Sequence, residues 1–199
     1  MQLVCLDVEG VLVPEIWINV AKKTGIDELK LTTRDISDYD VLMRKRLGIL
    51  DEHNIKLKDI QDVIGTMEPL EGAKDFLDTL RTQTQVILLS DTFTQFAKPL
   101  MEKLDWPTLL CNTLVIDEND RIADYTLRQK DGKRKAVAAF QSIGYSVIAA
   151  GDSYNDATML QTANTGIFFR APENIKAEFS GFSFVETHEE LLKEIFGAI

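Results

Sequence analysis

Three short runs of this sequence gather oxygen-bearing side chains where an apolar segment stops. Asp7-Val8-Glu9-Gly10 follows one such segment, Ser90-Asp91-Thr92 a second, and Gly151-Asp152-Ser153-Tyr154-Asn155-Asp156 a third. Asp7 and Glu9, two residues apart in extended chain, point the same way, and Gly10 permits a tight turn. If a helix begins near Ser153, then Asp152, Asn155 and Asp156 stand at i, i+3 and i+4 and share a face. A helix cap would need one acid and not two. Two acids and an amide suit a hard cation such as Mg²⁺, which takes oxygen ligands. Ser90 or Asp91 taken alone has helix N-capping, which is common, as its alternative. Among Lys130, Lys133, Arg134 and Lys135, only Lys133 has Ala136, Val137 and Phe140 at +3, +4 and +7, which puts it on an inward face, whereas Lys135 has Ser142 at +7. One inward ammonium beside the acids would hold a phosphate as a point charge.

Positioning these groups requires strands that end together. Leu3-Val4-Cys5-Leu6, Val86-Ile87-Leu88-Leu89, Val147-Ile148-Ala149-Ala150 and Gly166-Ile167-Phe168-Phe169 are apolar without alternation, the pattern of strands covered on both faces. Helical stripes lie between them, such as Phe76, Leu77 and Leu80, and Phe93, Phe96, Ala97, Leu100 and Leu104. Alternating strands and helices predict a doubly wound, Rossmann-like α/β parallel sheet. Its right-handed crossovers bring all strand C-terminal ends to one edge, where ligands bind. Segments 114–116 and 122–125 flank Asp117-Glu118-Asn119-Asp120 and read as a small antiparallel hairpin. Residues 14–69 show only helical patterning, too long a stretch for an ordinary crossover, and are expected to form a small all-helical cap over the crevice. The expected organisation is therefore a core of residues 1–13 and 70–199 with a cap of residues 14–69.

Composition removes other classes. The 199 residues carry 22 Lys+Arg against 32 Asp+Glu, a net charge of −10, the wrong sign for a protein that neutralises nucleic-acid phosphates. No apolar run approaches the roughly 18 residues of a membrane span, and the N-terminus lacks the pattern of a signal peptide. Cys5 and Cys111 sit in apolar runs without metal-site spacing and read as buried free thiols of a reducing cytoplasm. His53 and His188 read as exposed or capping, Trp17 and Trp106 as core or cap-hinge residues, and residues 187–196 as a closing amphipathic helix.

In their order along the chain, these motifs resemble those of the haloacid dehalogenase superfamily of aspartyl-phosphate phosphatases: Asp-x-acid-Gly-Val, Ser, Lys, then Gly-Asp-x-x-Asn-Asp. The resemblance covers essentially the whole chain. It implies Asp7 as nucleophile and Glu9 as general acid and base, with Ser90, Asp91, Lys133 and Asn155 around the phosphoryl group. It also implies Mg²⁺ held by Asp7, the backbone carbonyl of Glu9 and Asp152, while Asp156 holds a metal-bound water or orients Lys133. Leu42-Met43-Arg44-Lys45-Arg46-Leu47-Gly48-Ile49-Leu50 resembles the cap helix of phosphoserine phosphatases, in which an arginine grips the substrate carboxylate. Periodicity independently favours Arg46, three residues after Met43 and four before Leu50; an arginine snorkelling at a helix interface is the alternative. Glu15 resembles the acid that receives the substrate ammonium, with a helix-start acid as its alternative. Glu9 stands where most relatives carry Asp, which lengthens its reach by roughly 1.5 Å. Asp7-Val8-Glu9-Gly10-Val11-Leu12-Val13-Pro14-Glu15-Ile16-Trp17 is similar to the bifunctional branch that also passes the phosphoryl group to homoserine. The expectation is a cytoplasmic enzyme with small-molecule substrates, phosphoserine and homoserine, and neither nucleic acid nor membrane as partner. Another small phosphomonoester is the alternative substrate, and a non-catalytic phosphometabolite binder the alternative class.

Overall fold

A computed structural model describes residues 1–32, 35, 36 and 38–199. Strand β1 (Gln2–Leu6) is followed by helices α1 (Ile16–Thr24), α2 (Tyr39–Glu52) and α3 (Leu57–Gly65), with a 3-10 turn at Asp27–Lys30. The chain then alternates: α4 (Ala73–Arg81), β2 (Gln85–Phe93), α5 (Thr94–Lys103), β3 (Thr108–Ile116), β4 (Ile122–Thr126), α6 (Gly132–Ser142), β5 (Ser146–Gly151), α7 (Tyr154–Thr162), β6 (Thr165–Phe169), α8 (Glu173–Glu178), β7 (Ser183–Val185) and α9 (His188–Ala198). The strands form one sheet in the order β4-β3-β2-β1-β5-β6-β7. Only β4 runs antiparallel, to β3.

The apolar strands have no polar face because each face carries its own core. Successive side chains alternate across a strand, so Val4 and Leu6 join one hydrophobic cluster while Leu3 and Cys5 join the other. The first cluster takes Phe76, Leu77, Phe96 and Leu191 from α4, α5 and α9, and runs on without a break into Ile16, Met43 and Ile60 of the helical segment. The second takes Ala136, Val137, Ala157, Leu160 and Ile175 from α6, α7 and α8. From β1 the chain steps to one side through β2 and β3, then returns to the far side of β1 at β5. The chain thus leaves β1 toward β2 and β5 toward β6, on opposite sides of this pair, and an open α/β sheet has its crevice at the C-terminal ends of such a pair.

Some expectations need correction. Ser90, Asp91 and Thr92 lie within β2 rather than beyond a strand, but β2 pairs with β1 only as far as Leu88 and its register with β3 slips between Leu89 and Phe93. Such an irregularity re-aims side chains at a strand end. The first arm of the hairpin is the end of a longer strand, β3, whose beginning at Thr108 pairs in parallel with β2. His188 is buried rather than exposed (6%), and its Nε2 and Nδ1 lie 2.8 and 3.1 Å from the carbonyl oxygens of Val11 and Glu71. Trp106 lies outside core and hinge at 59% exposure, on a left-handed turn after α5. Cys5 is buried and Cys111 only half-buried; neither is in a disulfide.

Candidate active site

The floor of the site is built by the ends of β1 and β5. The N–H of Asp7 donates to Ala150 O at 2.9 Å, extending the β1–β5 ladder by one residue. The Asp7 side chain accepts from the Val8 N–H at 2.7 Å and lies 2.8 Å from Lys133 Nζ. Lys133, buried on the inner face of α6, also donates to Asp156 Oδ1 at 2.8 Å and stands 3.7 Å from Asp91. Asp156 is fully buried, and its second oxygen accepts the N–H groups of Asp152 and Ser153, both at 3.1 Å. It is thus fixed by the turn that leads into α7.

Two glycines make these approaches possible. A Cβ at Gly151 would lie 2.3 Å from Asp156 Cγ, and one at Gly10, whose φ is +79°, would lie 2.4 Å from Asp152 Oδ2. No L side chain fits either place without moving a carboxylate. Carboxylate oxygens of Asp7, Asp152 and Asp156 all lie within 4.8 Å of one another. Burial raises the pKa of Asp7 well above the usual carboxylate range, as do Asp156 and Asp152, against the pull of Lys133. Burial alone would lower Lys133, but Asp156, Asp7 and Asp91 outweigh it and hold the ammonium charged. This crowding of hard oxygen donors around one ammonium fits a divalent cation, which would offset the surplus negative charge.

The roof comes from the helical segment. Glu9 is held in the turn formed by the Leu12 and Val13 N–H bonds to Val8 O. Its Oε2 accepts the Ile16 N–H at 2.8 Å, the first N–H of α1, at a start where Glu15 makes no side-chain cap of its own. Burial raises Glu9 to about 8, with Glu15 adding to the effect and the Ile16 N–H and Arg46 opposing it. Arg46, on α2, is 7% exposed. Its guanidinium lies 4.6 Å from the Trp17 ring centroid, and Nη2 donates to Leu31 O at 2.8 Å. Its Nε is buried and meets no acceptor among the described residues. Burial lowers Arg46 to about 10, which leaves it cationic at neutral pH. Between floor and roof is a cavity of about 320 Å³, at the small end of ligand pockets.

Those features can be set beside known proteins. The family model for haloacid dehalogenase-like hydrolases matches residues 1–164. This chain belongs to that family. It is 62% identical over 198 residues to "Phosphoserine phosphatase ThrH" of Pseudomonas aeruginosa, covering all of this chain and 97% of that protein. It is 60% identical over 198 residues to "Phosphoserine phosphatase" of Pseudomonas syringae pv. tomato, covering all of this chain and 84% of that protein. A crystal structure of a phosphoserine phosphatase in apo form superposes with a TM-score of 0.78 at 22% identity, covering 96% of this chain and 98% of that one. That last likeness concerns the fold.

Every residue singled out from the sequence of this hydrolase lines the cavity except Asp156, which lies directly beneath it. Three of them sit differently from their sequence-based placement. Asp152 precedes α7 rather than sharing its face with Asn155 and Asp156. Asn155 is exposed at the rim while Asp156 is wholly buried. The Glu9 carboxyl faces the roof and is not part of the cluster formed by Asp7, Asp152 and Asp156. Sequence reasoning missed Tyr39, whose hydroxyl donates to Asp91 O at 3.1 Å across the cavity. Its signal was present, since Tyr39, Met43, Arg46 and Leu50 form one stripe along α2.

Proposed function

We propose that this hydrolase is a Mg²⁺-dependent phosphoserine phosphatase, working through an aspartyl-phosphate at Asp7, that also transfers the phosphoryl group to homoserine. Residues 14–69 act as its cap and residues 1–13 and 70–199 as its core. The observation that carries the reading is the pairing of a lysine-held Asp7 on the floor with the cationic Arg46 and acidic Glu15 on the roof of one small cavity. Phosphoserine has the complementary ends, a phosphate and a zwitterion. The names of two relatives at 62% and 60% identity support the substrate.

With its ionised form favoured by Lys133 and by the cation that the acidic cluster would hold, the Asp7 carboxylate attacks phosphorus in line, and the bond from phosphorus to the serine oxygen breaks. Glu9, whose raised pKa keeps it protonated at neutral pH, gives its proton to the departing oxygen. It then takes a proton from the water or homoserine hydroxyl that attacks the phosphorus and restores Asp7. Lys133, with Ser90 beside it, binds the phosphoryl oxygens, and Asp156 keeps Lys133 pointed at them. Mg²⁺ would be held by Asp7 and Asp152 with the Glu9 backbone carbonyl, and would supply charge neutralisation between carboxylate and phosphate. At ~4 Å and an effective dielectric of ~20, each such like-charge pair costs about 4 kcal/mol. Arg46 offers a fork to the substrate carboxylate and Glu15 receives its ammonium. Homoserine differs from serine by one methylene, which a pocket discriminates by only roughly 1–3 kcal/mol. The unpaired thiols fit a reducing, cytoplasmic setting.

The test is incubation with phosphoserine and Mg²⁺, with and without homoserine, using a ³²P-labelled donor. Free phosphate, labelled phosphohomoserine when homoserine is present, and acid-stable label at position 7 are expected, the label vanishing in Asp7→Asn. Continued turnover by protein that never carries label at Asp7 would overturn the reading.

A further inference from the structure

The β3–β4 hairpin lies against the outer face of α2, the helix whose inner face carries Tyr39, Leu42 and Arg46 into the cavity. The contacts form a ladder. Tyr125 donates its hydroxyl to Asp40 at 2.5 Å, Asp124 accepts from Arg44 at 2.7 Å, and Arg121 pairs with Asp51 through two nitrogens. Along α2 the partners are 40, 44 and 51; along β4 and the residue just before it they run backwards as 125, 124 and 121. The lengths agree, since 11 helical residues rise about 16 Å and 4 strand residues about 14 Å. One residue further, at the hairpin tip, Asp120 O accepts the Leu57 N–H at 3.0 Å and Asp120 Oδ2 the Lys58 N–H at 2.9 Å. The start of α3, where Asp59 accepts the Lys56 N–H at 2.9 Å, is thereby capped from the core as well. Asp120 sits at φ +64°, a left-handed turn that an aspartate tolerates.

We infer that this hairpin is the catch that seats α2 over the phosphate site, making Arg121 and Asp124 positioning residues for recognition of the substrate's amino-acid end. The inference rests on the reading of Arg46 as the carboxylate clamp. Its geometric basis is that Arg46 and the rungs occupy opposite faces of one helix, so a shift of α2 off the hairpin moves the guanidinium relative to Lys133. Tyr125 joins the two sides, with its ring against Tyr39 of α2 at 5.9 Å and against Phe93 at the end of β2 at 6.1 Å. The rungs are exposed pairs, the kind that individually contribute little. That suits a catch that must let go when product leaves.

The test compares phosphoserine with phosphoethanolamine, which lacks the carboxylate. Arg44→Asp and Asp124→Arg, each placing like charges on one rung, are expected to raise KM for phosphoserine about fivefold. KM for phosphoethanolamine and kcat should stay within twofold, and the exchanged pair Arg44→Asp/Asp124→Arg should restore the phosphoserine KM. Equal KM for wild type and both single variants, or equal losses on the two substrates, overturns the inference. Amide exchange at Lys58 gives a readout independent of turnover: Asp120→Ala, which removes its side-chain acceptor, should speed it at least tenfold while the sheet amides stay protected. Unchanged exchange removes the catch. Absence of phosphoserine turnover by the wild type would sink the proposed substrate instead, and the exchange result would still decide the catch.

Discussion

Floor and roof of the cavity solve opposite problems. On the floor the protein supplies its own partners: Asp156 has Lys133 on one oxygen and two backbone N–H groups on the other, and Asp7 has Lys133 and the Val8 N–H. On the roof it leaves needs unmet. Arg46 rests on a tryptophan face with a buried Nε unpartnered among the described residues, and Glu15 adds to the cost of ionising the buried Glu9. A preorganised floor suits chemistry shared by all phosphomonoesters, because donors that need not move lose nothing at the transition state. An unsatisfied roof suits selection, because the correct substrate supplies the missing partners and a wrong one leaves them buried and bare.

The sharpest way to break this contrast is to remove the floor's cation. Lys133→Met should lower kcat at least 10³-fold and destabilise the fold by about 3 kcal/mol, the cost of orphaning one side of a buried pair. The loss should depend on pH. Lys133 is what draws the Asp7 pKa down, so its removal raises that already elevated value further. A carboxyl whose pKa in the folded protein exceeds its unfolded value stabilises most at low pH and loses that contribution as pH rises through the folded value. Denaturation midpoints of Lys133→Met should therefore fall increasingly below wild type as pH rises through the range in which Asp7 ionises in the folded protein; a parallel offset at all pH values would deny the floor its electrostatic coupling.

Arg46→Ala probes the roof, with a smaller expected effect. Phosphoserine KM should rise ten- to a hundredfold, as for loss of charge-assisted hydrogen bonds worth about 1.5–3 kcal/mol, while phosphoethanolamine KM stays within threefold. Similar losses on both substrates would mean that Arg46 serves the phosphate and that the two regions are not divided as described. The smallest effect belongs to the seam. His188 touches carbonyls of both chain crossings between floor and roof, at Val11 and Glu71. His188→Ala should cost about 2 kcal/mol in urea unfolding with kcat little changed; a kcat loss beyond tenfold would show that the seam also sets the floor.

Much of this was legible from residue order alone. Uninterrupted apolar runs announced strands covered on both sides, and the spacing within residues 14–69 announced helices, because both patterns are local consequences of periodicity and burial. Phase likewise picked Lys133 from a basic cluster and Arg46 from its neighbours. The residues that escaped did so for non-local reasons. Nothing near His188 in the chain tells that it will meet Val11, 177 residues away. The opening of β3 at Thr108 was hidden because only pairing with β2 makes it a strand.

The sequence by itself determined the alternation of elements and which side chains face inward, as with Lys133 and Arg46, since spacing along a helix or strand fixes direction. Only the tertiary structure decided their partners: that Asp156 serves Lys133 and the turn beneath Asp152, that the Glu9 carboxyl caps α1, and that a hairpin from the core holds α2 in place. The physical reason is that hydrogen bonds and charge pairs depend on ångström distances between segments far apart in the chain. Those distances are set by the parallel pairing of β1 and β5 and by the close approach allowed at Gly10 and Gly151.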